Sequence, residues 1–216
     1  GALGVTLFAT LGELSGQRAR DLGAQHIFEA LQRGEEPPPY TLYLRPFKST
    51  GAISEQVYSG TGLMTETIEL ETQIERATRD LGPLVALGAP LEFTGAGRIK
   101  VSDDTWQDAV KLLLTKAELI VMLPSSRAGT LHEIGMILDS PLITRTVLID
   151  PPNLNTRRFD SAGEWEDVRH AFEQRGFTLP PDSRDGALMF YGQERAPTLT
   201  EKLDIDAEDR IERLFR

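Results

Sequence analysis

Five short apolar runs recur along this 216-residue chain: TLYLRPF (41–47), PLVALG (83–88), ELIVMLP (118–124), TVLID (146–150) and ALMFY (187–191). Most of the intervals between them carry apolar residues at helical spacing. Strands this uniformly apolar need burial on both faces, which a parallel sheet covered by helices provides. The expected fold is therefore α/β, a flavodoxin-like three-layer sandwich. Its sheet should have about five parallel strands in the order 2-1-3-4-5, with a switch point between the first and third.

The helices follow from periodicity. Leu14, Ala19, Leu22, Ala24, Ile27, Phe28 and Leu31 mark one over 11–32, stopped by Gly34 and Pro37–Pro39. Ile68, Ile74 and Ala77 mark one over 65–81. Ser102-Asp103-Asp104 caps a third, whose apolar face holds Trp106, Ala109, Val110, Leu113 and Leu114. Further helices are expected after the third strand, over 164–175, and over 198–215, the last of these acidic. Residues 48–65, with Gly51, Gly60 and Gly62, read as a long loop. No repeat or low-complexity linker appears, so one α/β domain over 40–216 is expected, preceded by an N-terminal helical extension over 1–39.

The net charge of −10 disfavours a duplex nucleic-acid partner, because phosphate neutralisation needs a basic face. Much of the acid lies at Glu66–Glu75 and Glu201–Glu212 and reads as solvated helix face. The chain has no cysteine, which excludes disulfides and thiolate chemistry and fits a cytoplasmic setting. Its three histidines, His26, His132 and His170, lack metal-ligand spacing, so no metal is expected. No run of about 18 apolar residues is present to span a bilayer. The apolar opening GALGVTLFAT leaves room for a membrane tether through a segment preceding residue 1.

At the carboxyl edge of such a sheet, RPFKSTG (45–51) and PSSRAGTLHE (124–133) converge, bordered by EFTGAGR (92–98). They bring Arg45, Phe47, Lys48, Ser49, Arg98 and Arg127 together with Ser125, Ser126, Gly129 and Thr130 at a helix N-terminus. That combination suits a phosphate-bearing nucleotide. GAGR has neither Walker nor dinucleotide-fingerprint spacing, and as a glycine pair it reads equally well as a turn. Glu133 admits two readings. Thr130-Leu131-His132-Glu133 fits a capping box, in which the glutamate closes back on the N-cap amide. Alternatively the carboxylate faces the crevice and stabilises or attacks a ribosyl carbon in an oxocarbenium-like transition state. His132 reads as a helix-surface or packing residue, Trp106 as core and Arg175 as surface. Neither serine has a histidine at readable spacing for a hydrolase triad.

A glutamate in the helix after the third strand of a flavodoxin-like sheet resembles the Toll/interleukin-1 receptor (TIR) domain. In enzymatic TIR members that glutamate cleaves NAD, which here implies Glu133, with Ser125, Ser126 or Gly129 framing the pocket. GTLHEIG (129–135) is also similar to the GT-x-x-EIG segment of nucleoside 2-deoxyribosyltransferases, whose glutamate is the nucleophile. LYLRPF, VALGAP, GAGRI, W-x-x-AV, LP-x-x-x-x-GT-x-x-EI and TVLIDPP together resemble TIR-like segments of bacterial, often membrane-attached, proteins over most of 41–152. The chain departs from these patterns in two places. Thr130-Leu131 stands where TIR domains commonly carry a tryptophan-cysteine pair, and RPFKST replaces the aspartate-rich opening of the transferases.

The resemblance implies a nucleotide N-glycosidase that splits the nicotinamide–ribose bond of NAD through Glu133. NAD is then a substrate, no cofactor is needed, and self-association accompanies activity. A non-catalytic nucleotide-sensing or self-association module stands beside this expectation, as does a deoxyribosyltransferase-like hydrolase.

Overall fold

A computed structural model describes residues 2–46, 54–58, 65–88, 95–150, 161–183 and 185–202. Helix α1 (Ala2–Gln32) leads into strand β1 (Thr41–Leu44), then β2 (Ser54–Tyr58), β3 (Thr65–Glu69) and α2 (Leu70–Thr78). Next come β4 (Leu84–Leu87), β5 (Gly97–Ile99), α3 (Trp106–Lys116), β6 (Leu119–Met122) and α4 (Ala128–Leu138). The chain continues through β7 (Thr146–Asp150), α5 (Ser161–Glu173), β8 (Ala187–Tyr191) and β9 (Pro197–Lys202).

The fold is α/β, but the sheet differs from the expected one in strand number and order. Seven strands run β5-β4-β1-β6-β7-β8-β9, and β2 and β3 form a separate antiparallel hairpin. β5, β4, β1, β6 and β7 are parallel, whereas β8 and β9 are antiparallel to their neighbours, so the sheet is mixed. The two unforeseen members have simple origins. GRI is only three residues long and holds an arginine, so it carries no apolar run. Residues 197–202 are not helical, because Thr198 and Thr200 alternate in β fashion and the segment pairs with β8. The rest of the expected last helix, 203–216, lies outside the described residues. Similarly, Thr65, Thr67 and Ile68 favour a strand in place of the first turn of the helix expected over 65–81, and the expected loop 48–65 contains β2.

Alternation along the strands feeds two cores. Leu42, Leu44, Val85, Ile99, Ile120, Met122 and Leu148 face α1, α3, α4 and α5 on one side. Tyr43, Leu84, Ala86, Val121, Leu123, Val147 and Ile149 face α2 on the other. This opposition follows from handedness. The chain passes β1-α2-β4 in one direction across the sheet and β5-α3-β6-α4-β7 in the other, and right-handed crossovers then place the helices on opposite faces.

α1 is more than an appendage. Ala24, Ile27, Phe28 and Leu31 are buried in the main core together with residues of the strands. The helix also covers the sheet's β5 edge. Gln17 Nε2 donates to the Ala96 carbonyl at 2.9 Å, and the Arg98 amide donates to Asp21 Oδ1 at 2.9 Å. These bonds satisfy backbone groups that an open edge would leave unpaired. Among the described residues no helix is long and apolar enough to cross a membrane.

The close seat of α1 on β5 depends on Gly97. A Cβ there would overlap the Arg20 carbonyl and lie 2.9 Å from Ala24 Cβ. Gly97→Ala is therefore expected to destabilise the protein by about 1–3 kcal/mol, the usual penalty of overpacking. Gly23→Ala, in the same helix with nothing within 4 Å of the new methyl, should instead stabilise by about 0.5–1 kcal/mol. Paired denaturant titrations check both signs.

Candidate functional site

The carboxyl ends of β4, β1 and β6 meet at the point where the chain reverses its direction across the sheet, the usual place for a ligand crevice. A cavity of about 490 Å³ lies there. Arg45 after β1, Gly88 after β4, and Lys100 and Val101 after β5 form part of its wall. Asp103 and Trp106 come from the start of α3, and Arg127, Gly129, Thr130 and Glu133 from the start of α4.

α4 begins at Ala128 with Arg127 as its extended N-cap. The capping-box reading therefore fails, since Thr130 is the third residue inside the helix and Glu133 the sixth. No side chain caps the helix at Arg127. The first-turn amides have no intrahelical partners, and this end of the helix carries positive dipole. Ser125 supports the turn instead: it is fully buried, its Oγ accepts from the Arg127 amide at 3.3 Å and donates to Thr130 Oγ1 at 3.1 Å.

Glu133 occupies a position where the helix calls for an apolar residue. The buried residues of α4 are Thr130, Glu133, Ile134, Gly135, Ile137 and Leu138, a stripe at helical spacing facing the sheet. The carboxyl is 6% exposed, and its Oε2 has no hydrogen-bond partner among the described residues. Burial pushes its pKa up to about 8. In the free protein the side chain is thus predominantly the neutral acid at pH 7, and it becomes a carboxylate when positive charge is brought to it.

Two of the expected cations are engaged elsewhere. Glu71, buried at the start of α2, takes Arg98 Nη2 at 2.6 Å on Oε1 and Arg45 Nε at 3.4 Å on Oε2. The Ala96 amide also donates to Glu71 Oε1, at 2.8 Å. Gly95 makes this approach possible: its φ is +133°, and a Cβ would fall 2.7 Å from Glu71 Oε1. GAGR is therefore a structural device. Gly95 admits Glu71, Gly97 admits α1, and Arg98 pairs with Glu71 away from the cavity rather than awaiting phosphate. Arg45 belongs to both places, lining the cavity while contacting Glu71.

Of the remaining expected residues, Arg127, Gly129 and Thr130 line the cavity with Glu133, while half-buried Ser126 belongs to the turn beside it. Phe47, Lys48 and Ser49 lie outside the described residues. Gly88, Lys100, Val101, Asp103 and Trp106 are lining residues that sequence reasoning missed. Trp106 does pack against the core, as expected, but it also walls the cavity. Its ring lies 3.7 Å from where a Cβ of Gly129 would stand and meets His132 edge-on, with centroids 5.7 Å apart. Among the described residues no group of three or more potential ligands could hold a metal ion. No family model matches the chain, and neither a curated protein nor a solved structure matches it.

Two measurements follow from these geometries. Glu71→Gln leaves two buried guanidinium groups without their anion and should cost about 3–5 kcal/mol of stability, read from the urea midpoint. Glu133 behaves in the opposite sense. Its folded pKa of about 8 lies above the ordinary 4.5, so its contribution is intact below pH 4.5 and is lost as pH rises through 8. Glu133→Gln should match wild type near pH 4 and exceed it by several kcal/mol at pH 9, since each tenfold change in proton affinity is worth about 1.4 kcal/mol. Thermal melts across that range check the crossover.

Proposed function

We propose that the protein is a nucleotide N-glycosidase that cleaves the nicotinamide–ribose bond of NAD on a TIR-like, flavodoxin-like α/β domain. The observation that carries this reading is Glu133: a buried carboxyl on the wall of a cavity at the sheet's switch point, with no capping role. A structural glutamate would be paired or solvated; one left desolvated at a crevice is a functional-site candidate.

The chemistry suits a cationic leaving group. A pyridinium nucleotide brings positive charge to the site, and this favours ionisation of Glu133 by the same Coulombic effect that lowers any carboxyl beside a cation. As the glycosidic bond breaks, charge moves from the ring nitrogen to the ribosyl carbon. The carboxylate then stabilises the oxocarbenium ion or forms a bond to the anomeric carbon. Neutral nicotinamide departs with the bonding electron pair, so no general acid is required. Water completes hydrolysis, leaving a ribosyl hydroxyl and a proton. Arg127, Lys100 and the first-turn amides of α4 suit the phosphate. Asp103 lines the same cavity and suits ribose hydroxyls. Self-association is part of the proposal, so the assay belongs at high protein concentration.

Incubation with NAD should release nicotinamide, and Glu133→Gln should reduce the rate by at least about 100-fold while leaving the fold intact. For wild type, kcat/KM should rise with pH and level off above about 8, because it reports the free enzyme's carboxyl. No nicotinamide release from wild type at any concentration, or an unaltered rate in the variant, overturns the reading.

A further inference from the structure

The residues that follow β5 border more than the Glu133 cavity. A second groove, of about 450 Å³, lies between α1 and α3, and Lys100 and Val101 line both. These two residues follow β5 directly, so they form a saddle with the reactive cavity on one side and the α1–α3 groove on the other. Each volume falls within the range of about 300–1,000 Å³ usual for small-ligand sites. Two compartments joined by one lysine exceed the needs of a single nucleoside.

The groove's chemistry matches a second nucleoside. Gln25, Phe28 and Gln32 stand at i, i+3 and i+7 on α1, and so share one helical face. Half-buried Leu112 from α3 offers apolar surface to a planar base, with the edge of core residue Phe28 at the groove floor. The exposed Gln32 amide offers a paired donor and acceptor, the pattern that reads an adenine edge, and Gln25, whose Nε2 donates to Glu29 Oε1 at 3.3 Å, presents its carbonyl oxygen as an acceptor. Asp108 on α3 is exposed in the same groove, and a carboxylate is a suitable acceptor for ribose hydroxyls. Lys100, also exposed, is the cation on the saddle.

We propose that the α1–α3 groove is a second nucleoside subsite, so that the ligand is a dinucleotide whose pyrophosphate crosses Lys100. This rests on the reading that the Glu133 cavity takes the nicotinamide–ribose half. It gives α1 a role beyond covering the β5 edge: Gln25, Phe28 and Gln32 of the N-terminal helix form one side of the groove that takes the distal base.

The test is calorimetric binding of NAD and of nicotinamide mononucleotide to the full chain bearing Glu133→Gln, which limits turnover. A plug, Thr105→Trp, is then added at the groove. Thr105 is exposed and its hydroxyl meets only Ser102, while its carbonyl, which accepts from the Ala109 amide at 3.1 Å, is kept on exchange, so the start of α3 stays supported. Gln25→Ala serves as a second, smaller variant. The expected result is NAD binding at least tenfold tighter than the mononucleotide. The plug should abolish that advantage and Gln25→Ala should reduce it, with mononucleotide affinity unchanged in both. Equal affinity for the two ligands, or a NAD advantage that survives the plug, overturns the second subsite and leaves the Glu133 reading standing. Failure of both ligands to bind overturns the reading beneath it as well.

Discussion

One carboxylate, Glu71, holds the carboxyl edge of the sheet together. It reaches from the first turn of α2 to a guanidinium following β1, a guanidinium within β5 and the amide of Ala96. A buried cluster of two cations and one anion is a poor source of stability, because desolvation offsets most of the Coulombic gain. Its value is positional. With Arg45 anchored on Glu71, one wall of the cavity is set by an element on the opposite face of the sheet. With Arg98 and Ala96 anchored, β5 is fixed beside β4, and the residues leaving it, Lys100 and Val101, are placed over the crevice. The β5 edge is held from its other side by Gln17 and Asp21 of α1. The same short strand thus links α2, α1 and the site.

That arrangement separates the cations into two kinds. Arg45 and Arg98 serve the framework first. Lys100 and Arg127 are exposed on the cavity wall, where a ligand arriving from solvent can reach them. In a protein with a net charge of −10, these two cations and the N-terminus of α4 put positive charge on the cavity wall, beside the carboxylate of Asp103.

The extent to which this was legible from sequence follows from burial. β1, β4, β6, β7 and β8 are buried on both faces and announce themselves as apolar runs. The β2–β3 hairpin, SEQVY against TETIE, is polar and resembles a loop or a helix start. GRI hides its strand because its central residue is an arginine neutralised by a glutamate 27 residues earlier. With β5 unseen, the residues that follow it could not be assigned to the crevice. Lys100, Val101 and Asp103 were missed for that reason. Glu133 was legible as a residue facing either the helix start or the crevice, and the structure places it on the cavity wall. The four-residue capping pattern concealed a longer signal, since positions 130, 133, 134, 137 and 138 form a single buried stripe. An acid in that stripe, at the sixth position of the helix, lies too far from the N-cap at Arg127 to close back on its amide.

The burial of Glu133 also bears on which ligands the cavity favours. A carboxyl desolvated enough to titrate near 8 has little to offer a neutral nucleoside at pH 7, because most of the population is protonated and its ionisation must be driven by something else. An anionic ligand placed against it would raise the pKa further. A ligand with cationic character at the base and anionic character at the phosphate matches both ends of the cavity: the acid at Glu133, and the cations at Lys100 and Arg127. On the proposed reading, binding such a ligand releases the Glu133 proton, so that the carboxylate forms beside the bond it acts on. On that reading, the desolvation that destabilises the free protein above neutral pH also selects for charge separation in the substrate. A neutral glycoside, lacking the ring cation, would meet a protonated acid rather than a nucleophile.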